Sequence, residues 1–273
     1  GDVGILVFLF YLLWGFQYAR PDLEARLGIE SGGEVSADEL GRLTARSIEI
    51  TNELYREIHG SDDAGEPTPT PALGPSVSAW EEGWAQVGAL YNLPTAVNRS
   101  FGSPKTFVSS PLVKRLGLAG MHFPYTGEAL VLSDLPGVLL GKDLGHEMAH
   151  QRGFASESDA NVLGFFVAKE SPDPILRYSA YSFLQRQLVN ALQRVSSSGS
   201  SAAVAARIPG VDRDLRALSR YWDPARTPVA AVASRVNDAM LRSHGIEEGV
   251  ASYAGSTWVF IALARARGEA ALF

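Results

Sequence analysis

The stretch Gly145-His146-Glu147-Met148-Ala149-His150-Gln151-Arg152-Gly153 limits what this chain can fold into more than any other. On a helix, residues four apart project from one face, so His146 and His150 address the same point. Two imidazoles at that spacing suit one zinc ion, and Glu147 beside them suits the proton of a zinc-bound water. Zinc lowers the pKa of such a water to about 7, so a nucleophile exists at neutral pH. Leu135 to Leu140 before the motif, with Met148 and Ala149 inside it, predict a largely buried helix. A glutamate buried between two histidines needs a partner such as a metal. The chain holds no Cys, which excludes disulfides and thiolate ligands, so its metal ligands must be His and carboxylate.

A catalytic zinc site takes three protein ligands and keeps one position open. Gly153 is expected to end the motif helix in a left-handed cap. Ser156, with Asp159 three residues on, reads as the start of a second helix. Glu157 falls in the first turn of that helix, which returns near His150, and is the expected third ligand. Asp159 is the alternative carboxylate. An acidic residue there also suits the helix dipole with no metal at all. Asn161, one turn further, is expected to brace the histidine helix. His122 has three readings: a core histidine bonded to backbone, an oxyanion donor, or a fourth ligand that would close the site.

His146 to Asn161 resembles the H-E-x-A-H-Q-R-G-F-x-x-E-x-E-A-N signature of DUF3810, a family of uncharacterised bacterial membrane proteins. Trp14-Gly15-Phe16-Gln17-Tyr18-Ala19-Arg20 is similar to that family's W-G-x-N-Y-x-R, which follows a transmembrane helix. Phe123 to Ala129 resembles its F-P-[FY]-T-G-E-A segment, and Arg177 to Tyr181 its R-Y-S-G-Y. The E-x-x-A-N pattern is also similar to the third-ligand motif of gluzincin peptidases, where the first Glu binds zinc; this favours Glu157. Asp159 and Gln17 depart from the family's usual Glu and Asn, outside the expected metal triad. The resemblance implies peptidase-like zinc chemistry in a protein of the bacterial cell membrane. It also implies further hydrophobic helices upstream and, with them, an extracytoplasmic domain. It names no substrate.

Val3 to Phe16 is apolar without a break, fourteen residues against the roughly 20 that a spanning helix needs. The chain opens on Gly-Asp without Met, so this run is expected to be the C-terminal part of a transmembrane helix. Trp14 and Tyr18 would form its interfacial belt and Arg20 the anchor beyond. Ser36 to Glu39 is a capping box that opens a helix to about His59. Gly60 to Ser78 reads as an extended loop, and Trp80 to Tyr91 as a helix with an aromatic core stripe. Lys105 to Ser109 predicts a strand, and Leu118 to Leu132 two strands around a Pro-Tyr-Thr-Gly turn. The second of these, Glu128 to Leu132, is placed either to pair with an extended substrate or to serve as plain sheet. Ile175 to Ser196 is a long helix. Its Tyr178 and Tyr181 are read as packing residues or as proton donors to an oxyanion. Ser196 to Ala206 reads as a mobile connection, followed by helices over Val211 to Tyr221, Pro228 to His244 and Gly249 to Arg267.

With 24 basic against 30 acidic residues the net charge is −6, and no basic patch points to nucleic acid. The expected class is therefore α+β, mostly α. Residues 21–273 would form a zincin-like metallopeptidase domain with a small sheet before the H-E-x-x-H helix, and residues 1–20 the truncated membrane helix. His146, His150 and Glu157 would bind zinc, and Glu147 would act as general base on a peptide or protein substrate. The alternative is a non-catalytic sensor or scaffold that keeps zinc for stability, and beyond it a metal-free structural domain.

Overall fold

A computed structural model describes residues 2–30, 32–243, 246 and 255–273. The described elements are α1 (Asp2–Leu13), a 3-10 turn (Gly15–Ala19), α2 (Leu23–Leu27), α3 (Ala37–His59), α4 (Leu73–Leu90), β1 (Lys105–Thr106), α5 (Ser110–Arg115), β2 (Gly120–Phe123), β3 (Glu128–Val131), α6 (Gly137–Gln151), α7 (Glu157–Lys169), α8 (Pro174–Val195), α9 (Ser197–Ala205), α10 (Pro209–Tyr221), α11 (Pro228–Ser243) and α12 (Gly255–Arg267). The chain is mostly helical with one small sheet, as its patterning predicts. His244 and Gly249 to Ala254 lie outside the described residues.

The motif helix α6 is the centre of the packing. Val138, Leu139, Leu140, Leu144 and Met148 point to different sides of it and all are buried. A helix apolar all round must be covered all round, and α7, α8 and the sheet supply the cover. Trp80 of α4 adds a hydrogen bond from its indole N–H to the Gly141 carbonyl at 2.9 Å. α6 and α7 touch backbone to backbone. A Cβ on Gly164 would lie 2.7 Å from the His146 nitrogen and from the Lys142 carbonyl oxygen, closer than any side chain tolerates. This crossing sets how near the start of α7 comes to the histidines.

Helix ends follow the capping signals. Ser36 Oγ accepts from the Glu39 N–H at 3.1 Å, and α3 ends at left-handed Gly60. Ser156 Oγ accepts from the Asp159 N–H at 3.3 Å and starts α7. Gly153 takes the expected left-handed conformation, with φ +88°. Two expectations are corrected. α4 starts at Leu73 rather than near Trp80, because Pro75 in a first helical turn gives up no needed N–H. The Ser/Ala-rich stretch after Ser196 is the helix α9, capped by Ser196 Oγ accepting from the Gly199 N–H at 3.1 Å.

The sheet has the order β1-β3-β2, with β1 parallel and β2 antiparallel to β3. Glu128 and its strand are therefore central, not an edge offered to a substrate. The outer strand on the other side is β2. Leu132 N–H donates to the Ala119 carbonyl at 3.0 Å, which makes that pair a hydrogen-bonded one. Pairs alternate along an antiparallel ladder, so Gly120 and His122, opposite Val131 and Ala129, turn their N–H and C=O away from β3.

No helix among the described residues is long and apolar enough to cross a membrane. α1 has 12 residues, roughly 18 Å of helix against a hydrocarbon core of roughly 30 Å. Trp14 is not a belt residue at a lipid interface; it is buried within the protein. Packing also crosses the expected boundary at residue 20. A Cβ on Gly153 would lie 2.6 Å from Arg20 Nη1 and 3.0 Å from Gln17 Oε1, so this segment lies on the end of α6.

Candidate metal centre

α6 carries His146 and His150 on one face, and α7 brings Glu157 from its first position. The two Nε2 atoms lie 3.1 Å apart. Glu157 Oε2 lies 3.2 Å from His146 Nε2 and 3.5 Å from His150 Nε2. Ligands of a tetrahedral ion with bonds of roughly 2.0–2.1 Å are separated by roughly 3.3–3.4 Å. The triangle fits one face of that tetrahedron. Glu157 Oε2 is buried and faces only the two imidazole rings. Among the described residues, these three form the group able to hold a metal ion.

Both rings are oriented from behind. His146 Nδ1 lies 3.0 Å from Asn161 Oδ1, and His150 Nδ1 lies 2.7 Å from the Phe154 carbonyl. Each oxygen accepts from the ring, so the protons sit on Nδ1 and the Nε2 lone pairs face the third ligand. Asn161 is thus the bracing residue expected of it. Its oxygen also accepts from Lys142 Nζ at 2.6 Å. Lys142 was not singled out by motif, but a lysine inside the apolar run Val138 to Leu144 was the available signal.

The charges sort themselves within this buried group. Burial opposes ionisation of Glu157, but the charge of His150 and bonds to both rings outweigh it and hold the carboxyl far below its usual range. Burial pulls His150 down, yet the Glu157 carboxylate raises it to about 9. Burial dominates at His146, which falls to about 4. The shifts of His150 and Glu157 thus favour a charged pair of the two when no cation lies between them. Burial also pushes Glu147 up to about 8.

Glu147 does not belong to the ligand triangle. It points into a cleft of about 330 Å³ with His146, Gly120 and, from α11, Asn237 among its walls. A Cβ on Gly120 would lie 2.7 Å from both Cγ and Oε1 of Glu147. The carboxyl thus rests directly on the backbone of β2, whose N–H and C=O at Gly120 turn outward.

The other expected site residues separate. Asp159 is no ligand: its Oδ2 accepts the Leu23 N–H at 2.9 Å and ties α2 to α7. Tyr178 donates its hydroxyl to buried Asp214 at 2.9 Å. Tyr181 donates to the Leu272 carbonyl at 3.2 Å. Glu128 pairs with Lys105 on the surface. His122 is not in the ligand group; its ring packs 5.1 Å from Trp14, and its buried Nδ1 has no partner. Trp14 also sets its edge 5.4 Å from the His150 ring. The apolar run around Trp14 masked this role in the sequence.

The DUF3810 model, described as a protein of unknown function, matches residues 3–259, and the chain belongs to that family. No curated protein and no solved structure matches it.

Proposed function

We propose that this member of DUF3810 is a zinc-dependent peptidase that hydrolyses a polypeptide held along the outer edge of β2. The observation that carries the reading is the triangle of His146, His150 and Glu157, with Glu147 excluded from it and facing the cleft. A structural zinc site needs no such carboxyl, and it uses a fourth protein ligand.

His146 and His150 through Nε2 and Glu157 through a carboxylate oxygen would hold a zinc ion, which would supply Lewis acidity and bring the pKa of a water to about 7. Asn161 and the Phe154 carbonyl hold the two rings in the tautomer this requires. Glu147 takes the proton of the attacking water and passes it to the leaving amine, so that water and peptide become acid and amine. A nearby dication favours its ionised form and offsets the burial that raises it. The outward N–H and C=O groups of Gly120 and His122 bond to an extended substrate by strand addition. This places the scissile region beside the carboxyl that Gly120 contacts.

The test is a peptide library with the zinc-loaded protein, with activity lost to a chelator and restored by zinc. Glu147→Gln should keep the metal and lower hydrolysis by at least about 10². An inert wild type that binds zinc tightly would replace this reading with the zinc-stabilised scaffold.

A further inference from the structure

We infer that the hollow between the end of α9 and the start of α10 binds a small phosphate monoester, held by Arg207 and Arg220 with Arg213 and Arg216 beside them. The site shares no residue with the metal centre, and the inference does not rest on the peptidase reading.

The hollow has a volume of about 620 Å³, and Arg207, Arg213, Arg216, Arg220, Asp63 and Asp212 are among its walls. Arg213, Arg216 and Arg220 are spaced so that three guanidinium stems leave α10 within roughly 60° of arc. The two carboxylates are already taken. Asp63 pairs with Arg213, and Asp212 pairs with Arg216 one turn on. Among the described residues, no carboxylate pairs with Arg207 or Arg220. Two positive charges are thus left over around one hollow, in a chain whose net charge is −6. A local surplus against the sign of the whole molecule draws an anion to that place.

Burial points the same way. Arg207 is half-buried, and burial lowers its pKa; Asp212 opposes that shift and the nearby Arg186 adds to it. Its Nε donates to Oε1 of buried Gln185 at 2.9 Å. That neutral oxygen fixes the guanidinium from behind without balancing its charge. Arg213 Nη1 is buried and has no acceptor, although the same guanidinium pairs with Asp63. A desolvated cation without a counter-charge and a buried donor without an acceptor are relieved together by one anion with several oxygens.

A phosphate monoester suits the hollow better than a carboxylate. At pH 7 it carries close to two negative charges and three strong acceptor oxygens, which match the surplus of two. A carboxylate would leave one charge over. The guanidinium fork also binds phosphate through two parallel hydrogen bonds. The volume lies within the roughly 300–1,000 Å³ of small-molecule sites, more than a bare phosphate fills. Val204 and Pro209 offer apolar wall to the organic part.

Calorimetric titration of the full chain with AMP, adenosine and inorganic phosphate, at constant ionic strength, tests this. AMP should bind at a single site, inorganic phosphate more weakly, and adenosine not at all. Arg220→Ala, at an exposed position, should weaken AMP at least about tenfold. Arg220→Lys should recover only part of the loss, because it keeps the charge and lacks the fork. Asp212→Asn frees Arg216 and should tighten AMP, a gain that a damaged fold would not produce. His150→Ala should leave AMP affinity unchanged. Binding of neither AMP nor inorganic phosphate overturns the proposal, as does AMP binding that matches adenosine or ignores Arg220→Ala. AMP binding lost in His150→Ala and kept in Arg220→Ala would put the anion at the metal centre and overturn it too. Inorganic phosphate bound as tightly as AMP overturns the monoester.

Discussion

Replacing Glu147 should stabilise the metal-free protein. Glu147 is buried, and without a metal burial raises its pKa from 4.5 to about 8. A raised folded-state pKa means that this group's stabilising contribution is complete below pH 4.5 and is lost as pH rises through 8. At pH 7 the unfolded chain would release the proton and the folded chain keeps it, at a cost of about 3 kcal/mol. At pH 5 the same bookkeeping gives about 1 kcal/mol. Glu147→Gln mimics the protonated carboxyl in shape and does not titrate, so it avoids this cost.

Urea unfolding of chelator-treated protein at pH 5, 7 and 8 measures it. Glu147→Gln should exceed wild type by about 3 kcal/mol at pH 7 and by about 1 kcal/mol at pH 5, with unchanged m-values. Saturating zinc should narrow the gap, since a cation at the ligand triangle favours the ionised carboxyl of the wild type. A difference independent of pH, or a wild type more stable at pH 7, would refute the reasoning. Most buried substitutions destabilise. A gain in stability on losing this carboxyl would mark Glu147 as a group kept for chemistry rather than for the fold.

Four further outcomes follow from the same geometry. His150→Ala and Glu157→Ala should each abolish stoichiometric zinc in metal analysis. Asp159→Ala should keep the zinc and lose about 1 kcal/mol from the Leu23 hydrogen bond in urea unfolding. Zinc binding at pH 7 should release between about one and about two protons, because His150, raised to about 9, must give up its proton to become a ligand and the cation also favours ionised Glu147; calorimetry in buffers of different ionisation enthalpy reads this directly, and a proton count of zero contradicts the charge assignment. Gly120→Ala should keep zinc while lowering hydrolysis on the order of 10², because its Cβ would displace Glu147.

The group that could hold a metal ion was legible because its signals are local. A four-residue repeat on a helix, a left-handed glycine and a serine cap each act within a few residues, and together they carry His146, His150 and Glu157 to one point. The same locality explains α3 and the two hairpin strands. What failed depends on partners remote in sequence. Which strand is the edge turns on Lys105 and Thr106 pairing with Leu130 and Val131, a short parallel ladder that no local pattern announces. That pairing buries the Glu128 strand between two neighbours and passes the outer edge to β2. Trp14 failed for another reason. An apolar run followed by an aromatic residue reads the same whether the ring meets headgroups or a histidine. Here the chain turns at Gly15 and puts the ring between His122 and His150. The residue that follows the apolar helix thus packs against the candidate metal site, a contact made by residues remote in sequence.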